Sequence, residues 1–259
     1  MIHALDCITL GVAFPNAAQQ SYAALLGHPL AVKGTPAQMQ LANVRLEFVA
    51  KPSSADEGLA GIAFAVGDLA KAQHLLERRG LRLHLANGDG GADARRLHVA
   101  TDSTHGVPAS LVQRTPRTTA TVRIGSGPDA SVSGLDHVVI RTPNPERAVA
   151  LYAGRLGLSL RLDRSETSWG ARLLFFRCGD LVVEVAHDLK AGVSDESDKL
   201  WGLSWRVPDI ARAHARMKSA GIEISDIRVG RRPGTRLFTV RSHTAGVPTI
   251  MIGPDKPAA

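Results

Sequence analysis

The two halves of the chain repeat one another, and this duplication limits the possible folds more than any other feature of the sequence. The segment LDCITLGVAFPNAAQQSYAALLGHPL, from Leu5, matches LDHVVIRTPNPERAVALYAGRLGLSL, from Leu135. Further on, GIAFAVGDLAKAQHLLERRGLRL matches GLSWRVPDIARAHARMKSAGIEI, and HGVPASLV matches AGVPTIMI. The offsets are 130, 141 and 140 residues, so the halves are duplicates with small insertions.

Each half is itself double. Every quarter has a short apolar strand, a turn with Pro, Asn or Asp, an amphipathic helix, a Gly and further strands. Stretches such as AKAQHLLERRG place apolar residues at helical spacing and stop at a Gly suited to a left-handed cap. Stretches such as LVVEVAH and TRLFTVRS are rich in β-branched or aromatic residues, which favours strands. We define four modules by their residues, at about 1–51, 58–114, 133–188 and 200–254.

The modules predict an α+β fold with two domains. Residues 115–133 are polar and rich in Thr, Ser, Gly and Pro, so we interpret them as a linker between domains at 1–114 and 134–259. A single module cannot bury a sheet face alone, so modules must pair, each pair forming a curved mixed sheet around a cavity. The sequence leaves open whether the first module pairs with the second or with the fourth.

Composition excludes several classes of protein. Two cysteines, Cys7 and Cys178, fit no disulfide framework, which favours the reducing cytoplasm. No apolar run is long enough to span a bilayer, and the first residues lack the basic region of a signal peptide. The net charge of +7 is scattered, without a nucleic-acid-binding motif. The densest basic group, at Arg228, Arg231, Arg232 and Arg236, is interpreted either as a solvated hairpin tip or as a rim that attracts an anionic substrate.

The order LDHVVI, a helix ending LYAGRLGL, LVVEV, then VPDI with its helix and a GVP hairpin resembles the vicinal oxygen chelate superfamily, which includes glyoxalases, bleomycin resistance proteins and dioxygenases. The resemblance covers nearly the whole chain as a two-domain, four-module member. It implies a cavity in each domain and, in many members, a divalent metal that polarises a substrate oxygen. Since this fold carries many reactions, the resemblance predicts the fold better than the activity.

The resemblance also implies four ligand positions in each cavity. In the C-terminal half, His137 and Glu184 match the family's ligands, whereas Gly202 and Ile250 cannot bind a metal through their side chains. The N-terminal half has Cys7, Glu47, Gly61 and Ser110 at these positions and forms a secondary cavity around Glu47 and Cys7. Neither way of pairing the modules assembles more than two strong ligands. Extradiol dioxygenase chemistry is therefore disfavoured, and a weakly held Zn, Ni, Mn or Fe ion and no metal at all both stay open.

His137 and Glu184 are the predicted catalytic residues. They would hold a weak metal, or move a proton next to a carbonyl without one. We also predict substrate-binding roles for Arg206, which could clamp a carboxylate, and for nearby residues. These are Ser204, Trp201 and Arg141.

Two functions follow from these patterns. The first is a glyoxalase-like enzyme, a lyase, isomerase or epimerase, acting on a small oxygenated metabolite in the cavity of the C-terminal half. The second is a metal-free protein that binds or sequesters a small molecule, as bleomycin resistance proteins do. Neither requires nucleic acid or a membrane, and both are compatible with a homodimer.

Overall fold

The computed structural model of the chain describes residues 1–28, 37–53, 57–85, 94–114 and 130–255. Residues 115–129 of the predicted linker lie outside the described residues. The first half contains two helices, α1 (Pro15–Leu26) and α2 (Leu69–Arg78), and seven strands: β1 (Ile2–Val12), β2 (Ala37–Gln40), β3 (Arg45–Ala50), β4 (Gly58–Val66), β5 (Leu83–Leu85), β6 (Ala94–Val99) and β7 (Ala109–Arg114).

The second half repeats this order. Its helices are α3 (Pro145–Val149), which continues as a π-helix (Ala150–Arg155), and α4 (Ile210–Ser219). Its eight strands are β8 (Gly134–Arg141), β9 (Ser159–Glu166), β10 (Ala171–Cys178), β11 (Leu181–Asp188), β12 (Lys199–Arg206), β13 (Arg228–Val229), β14 (Thr235–Val240) and β15 (Thr249–Pro254).

The strands form two mixed sheets, which confirms the predicted α+β class. One sheet has the order β2-β3-β1-β4-β7-β6-β5, and the other has the order β13-β14-β15-β12-β8-β11-β10-β9. Within the described residues, each sheet is therefore built from one half of the chain. The parallel pairs β4–β7 and β12–β15 have the same register, since Ala65 lies opposite Val112 as Arg206 lies opposite Ile252.

Packing divides the chain in another way. Two compact units can be distinguished, and we call them unit 1 and unit 2. Unit 1 comprises Met1–Cys7, Gly61–Thr119 and Val138–Trp201, and unit 2 comprises Ile8–Ala60, Ala120–His137 and Gly202–Ala259. Unit 1 thus combines most of the second and third modules, and unit 2 combines most of the first and fourth. The predicted domain boundaries stay a prediction.

The helices begin where side chains can satisfy their first N–H groups. Asp68 accepts a hydrogen bond from the backbone of α2, Asn144 from that of α3, and Asp209 from that of α4. Helix α1 has Pro15 in its first turn and ends at Gly27, whose φ of 72° is left-handed. The sequence predicts one α-helix over ERAVALYAGRL, but its second part is a π-helix that buries Leu151 and Tyr152 side by side.

The cores of the two units follow the repeat. Phe64 on β4 and Trp205 on β12 occupy equivalent positions and are both fully buried. Phe176 and Tyr152 pack at 5.4 Å in unit 1, as do Phe48 and Tyr22 in unit 2. Large side chains on one face of each strand thus fill the space beneath the helices and fix the positions of the strand ends, where polar residues gather.

Residues 191–198, before β12, form an acidic loop, but its last residue is not solvated. Asp198 is buried, and it accepts hydrogen bonds from Thr142 at 2.7 Å and from Arg147 at 2.8 Å. Arg147 also donates to the carbonyl oxygens of Asp195 and Glu196 and so ties this loop to α3. Within the described residues, no helix combines the length and apolar character needed to cross a membrane.

Candidate functional site

The start of β8 brings a carboxylate, an imidazole and a guanidinium together. Asp136 Oδ1 lies 2.9 Å from His137 Nδ1, and Asp136 Oδ2 lies 3.2 Å from Nε of Arg206, at the end of β12. The Asp136 and His137 side chains are only 14% and 13% exposed, whereas that of Arg206 is 35% exposed. All three residues belong to unit 2. This is the most compact polar arrangement that involves a predicted catalytic residue.

The charges around Asp136 decide its protonation. Burial acts to raise the pKa of Asp136, but the hydrogen bond from His137 and the positive charges of His137, Arg232 and Arg206 outweigh it and lower the pKa. An ionised carboxylate can only accept hydrogen bonds, so Nδ1 of His137 carries the proton that it donates to Asp136. This fixes the orientation of the imidazole, and Nε2 is then the nitrogen that can exchange a proton with another group.

A cleft of 320 Å³ opens beside Asp136, at the end of the second sheet. Arg206 lines it, and so does the turn between β13 and β14, which contributes Arg232 and Thr235. Ser133 and Pro254 also line the cleft. The β13–β14 pairing confirms the predicted hairpin around Pro233 and Gly234. The cleft holds two arginines against one carboxylate, so it favours an anion.

Glu184 and His137 lie in different compact units. Glu184 lies on β11 in unit 1, is half-buried, and has the buried Val183 and Val185 on either side. It lies opposite Phe175 of the neighbouring strand β10. The alternation of exposure along β11 agrees with a Glu that faces away from the core. The combination of Glu184 with His137 in one site stays a prediction.

Two of the predicted substrate-binding residues contact each other. The guanidinium of Arg141 stacks over the ring of Trp201, 4.1 Å from the ring centre. Both side chains are exposed, Trp201 by 38%. A stacked pair of this kind is worth about 0.5–1 kcal/mol at an exposed site. Their substrate-binding role stays a prediction.

Ser204 is fully buried on β12, and its hydroxyl has no hydrogen-bond partner among the described residues. On the same strand, a side chain at Gly202 would meet the carbonyl oxygen of Pro248 at 2.8 Å. The absence of a side chain at Gly202 therefore fits the close approach of Pro248, just before β15.

The predicted secondary cavity has one buried carboxylate. Glu47 on β3 is 8% exposed, and Cys7 on β1 is fully buried against Ala63 and Val112. The apolar surroundings of Cys7 agree with a packing role. Ser110, at another of the family's ligand positions, is also buried. Glu47 and Cys7 lie in different compact units, so each is described by itself.

The residues present do not fit a tightly held divalent metal. Among the described residues, no group of three or more His, Cys, Asp or Glu side chains could hold one ion. Gly202 and Ile250 offer no ligand atom, and Nδ1 of His137 is bonded to Asp136. Stable divalent sites generally use three or four protein ligands.

Sequence reasoning missed Asp136 and Arg232 as site residues. Asp136 served only to align the repeat, although its equivalent Asp6 also forms a charged pair, with Arg114 at 2.5 Å. An acid kept at the same place in both copies, beside a candidate catalytic His, was the available signal. Arg232 could be named only as part of a basic group, because the sequence does not show which end of the sheet the hairpin reaches.

Comparison with known proteins gives a consistent family. Residues 136–239 match the model of the Glyoxalase/Bleomycin resistance protein/Dioxygenase superfamily. An ethylmalonyl-CoA/methylmalonyl-CoA epimerase from Cereibacter sphaeroides is 26% identical over 100 residues, which cover 36% of this chain and 75% of the epimerase.

Two solved structures resemble the whole chain. A halotolerant catechol dioxygenase superposes with a TM-score of 0.75 at 14% identity, covering 98% of this chain and 87% of the dioxygenase. A mutant of 4-hydroxymandelate synthase from Streptomyces coelicolor gives 0.71 at 14% identity, covering 100% and 94%. At these identities the likeness concerns the fold alone.

Proposed function

We propose that this chain, which belongs to the glyoxalase/bleomycin resistance protein/dioxygenase superfamily, is a glyoxalase-like enzyme of the lyase, isomerase or epimerase type. Its substrate is a small, anionic, oxygenated metabolite bound by the C-terminal half. The reaction is a proton transfer at a carbon next to a carbonyl group. His137 transfers the proton, Asp136 holds the His137 imidazole in place, and Arg206 supplies positive charge.

The observation that carries this proposal is the hydrogen bond between His137 Nδ1 and the ionised Asp136. A carboxylate behind an imidazole holds the ring in one orientation and leaves Nε2 as the nitrogen that can accept a proton, which a general base requires. Nε2 of His137 then removes the proton from the carbon. The electron pair of the C–H bond moves to the carbonyl oxygen as an enolate, and the return of the proton completes the isomerisation.

Arg206 supports this step through its charge. Its guanidinium pairs with Asp136 and lines the neighbouring cleft, so the site attracts an anionic substrate. The same positive charge stabilises negative charge that develops on the substrate during enolate formation. The similarity to an ethylmalonyl-CoA/methylmalonyl-CoA epimerase supports proton transfer as the reaction type. Members of the superfamily often use a divalent metal such as Fe, but the part of this chain that the structure describes has no group of three or more His, Cys, Asp or Glu side chains that could hold one.

The test is the exchange of substrate hydrogen for solvent deuterium. The protein is incubated in D₂O with methylmalonyl-CoA, ethylmalonyl-CoA, malate and lactate, and label incorporation is followed by mass spectrometry. The variant His137→Asn keeps an N–H donor towards Asp136 but loses the second ring nitrogen. We expect it to lower the exchange rate by about 10²–10⁴-fold. The matched control is His214→Asn, because His214 on α4 lies outside this site: its ring nitrogen is 3.1 Å from the Ser225 carbonyl and its ring packs against Phe238.

The outcomes separate the roles. Exchange in the wild type that is lost in His137→Asn and kept in His214→Asn supports the proposal. Equal losses in both variants, or no exchange with any compound, contradict it. Glu184→Gln is measured alongside, because Glu184 is the second proposed acid or base: a loss of the same size assigns it to the reaction, and an unchanged rate removes it.

A second function is favoured by a separate observation. The described residues offer no group of three ligands, and Gly202 lies where the β15 backbone leaves no space for a side chain. A metal-free protein that binds or sequesters a small molecule needs no such group. A thermal shift on ligand addition without deuterium exchange supports this function, and exchange that depends on His137 rules against it as the only activity.

A further inference from the structure

The aspartate at the start of each half pairs with an arginine, but the two arginines come from strands that are not equivalent in the repeat. In unit 1, Asp6 on β1 is held by both ends of the Arg114 guanidinium, from β7, at 2.6 and 2.5 Å. In unit 2, the equivalent Asp136 pairs with Arg206 on β12, whose Nε lies 3.2 Å from Oδ2 of the carboxylate. The repeat therefore keeps the charged pair but exchanges the strand that supplies the cation.

The exchange involves two pairs of equivalent positions. Where β12 has Arg206, β4 has Ala65, whose small side chain lets Arg114 reach across to Asp6. Where β7 ends in Arg114, β15 ends in Pro254, which has no side chain of comparable length. The strand end that carries a guanidinium in unit 1 therefore carries none in unit 2, where Pro254 lines a cleft instead.

The 320 Å³ cleft lies at this strand end, with Pro254 and Asp136 in its wall. Its size is at the lower end of the range of about 300–1,000 Å³ that is typical of ligand pockets. The cleft thus lies where the two copies differ, and Arg114 in unit 1 shows that a hydrogen-bond donor from this strand end can reach the carboxylate.

The charges of the cleft narrow the ligand further. Arg206 and Arg232 outnumber Asp136, so a ligand with a net positive charge would be repelled. Both oxygens of Asp136 face N–H donors, Nδ1 of His137 and Nε of Arg206, so a ligand group against this carboxylate must also donate. A ligand that carries a carboxylate for the arginines and a neutral hydroxyl for Asp136 meets both requirements.

We propose that this cleft, lined by Pro254 in place of an arginine, binds a small hydroxylated carboxylate. The hydroxyl donates to Asp136, and the carboxylate lies against Arg206 and Arg232. Thr235, on the same wall, adds a further polar contact surface. The inference concerns binding at this cleft and does not depend on the proposed proton transfer by His137.

The test compares two dicarboxylates that differ by one hydroxyl. Binding of L-malate, D-malate and succinate to the full chain is measured by isothermal titration calorimetry at low salt. At least one malate enantiomer is expected to bind about tenfold or more tightly than succinate, because a hydrogen bond to a buried charge discriminates by that order. Equal affinity for succinate overturns the role of Asp136, and binding of none of the three overturns the site.

The matched variants test the position of the cleft. Pro254→Arg restores the side chain that fills the equivalent place in unit 1, and it is expected to abolish malate binding. Pro254→Ala keeps the cleft open and is expected to retain binding. Undiminished malate binding by folded Pro254→Arg overturns the proposal. Should Pro254→Arg fail to fold, the exposed Arg232→Gln decides: about tenfold weaker malate binding supports the site, and unchanged binding overturns it.

Discussion

Tyr22 donates its buried hydroxyl to the carbonyl oxygen of Thr244 at 3.0 Å, although the two residues are 222 positions apart. This bond joins α1, from the first module, to the hairpin that precedes β15, within unit 2. Tyr152 is the equivalent residue of the other copy and is as deeply buried, but its hydroxyl has no hydrogen-bond partner among the described residues. The duplication has thus kept both aromatic rings and only one of the two hydrogen bonds.

The two tyrosines give opposite expectations for the same substitution. Tyr22→Phe leaves a buried carbonyl unsatisfied, and we expect it to lower the free energy of unfolding by about 1–2 kcal/mol. Tyr152→Phe removes a buried hydroxyl without a described partner, so we expect no loss, or a gain of up to about 1 kcal/mol. Urea denaturation measures the free energy of unfolding of both variants, and an equal decrease in the two would contradict this account of Tyr152.

Arg216 links the two modules of unit 2 at another point. From α4 it donates to the carbonyl oxygens of Ala24 and Leu25, at the end of α1, and to that of Ala130. The Ala24 and Leu25 carbonyls lie at the negative end of the α1 dipole, where a cation is favourable. Burial lowers the pKa of Arg216.

We expect Arg216→Ala to destabilise the fold by about 2–4 kcal/mol, since it leaves several carbonyls without their charged donor. Arg212→Ala on the same helix is the control. Its side chain is 64% exposed and pairs with Asp209 at 3.5 Å, so its loss costs at most about 1 kcal/mol. Thermal unfolding of both variants provides the comparison, and a similar shift for the two would contradict the capping role.

The sequence predicted the elements of the fold but not the contacts between them. Periodicity and turn residues were sufficient for α2, α4 and strands such as β11 and β14, because those signals are local. The partner of Arg206 was not predictable, since it depends on β12 lying beside β8 and on their register. The close approach to Gly202 was not predictable for the same reason, since the Pro248 carbonyl comes from a distant segment. Neither copy alone shows the exchange of Arg114 for Pro254. Its significance becomes clear only when the structure shows that Asp6 pairs with an arginine on β7 and Asp136 with an arginine on β12.

The lowered pKa of Asp136 predicts a pH-dependent contribution to stability. Its pKa is lower in the folded chain than in the unfolded chain, so ionisation stabilises the fold. This contribution is complete above about pH 4, the ordinary range of Asp, and it is lost as the pH falls through the folded-state pKa. We expect Asp136→Asn to cost about 1–3 kcal/mol at pH 7. The difference from the wild type should shrink as the pH falls below about 4 in urea titrations, and a constant difference would argue against this linkage.

Gly202 gives a prediction about packing. Its φ needs no glycine, but a Cβ would press against the Pro248 carbonyl, which already accepts a 2.9 Å hydrogen bond from Leu203. We expect Gly202→Ala to destabilise the fold by about 1–3 kcal/mol. Gly154→Ala is the control, because Gly154 lies in the π-helix with nothing within 4 Å of its Cβ position, so alanine should be neutral or stabilise by up to about 1 kcal/mol. Chemical denaturation separates the two, and an unaffected Gly202→Ala would show that β15 can move aside.

The residues at the family's ligand positions predict that the chain retains little metal. His137 and Glu184 are strong ligands, but the side chains of Gly202 and Ile250 offer no ligand atom. A larger side chain at position 202 would clash with the Pro248 carbonyl unless the segment that leads into β15 moved. We therefore expect chain that is incubated with Zn, Ni, Mn or Fe salts and then gel-filtered to retain well below one ion per molecule. Elemental analysis measures this directly. Near-stoichiometric metal that disappears in Glu184→Ala would contradict the prediction and assign Glu184 to a metal site whose remaining ligands come from substrate, water or residues beyond those described.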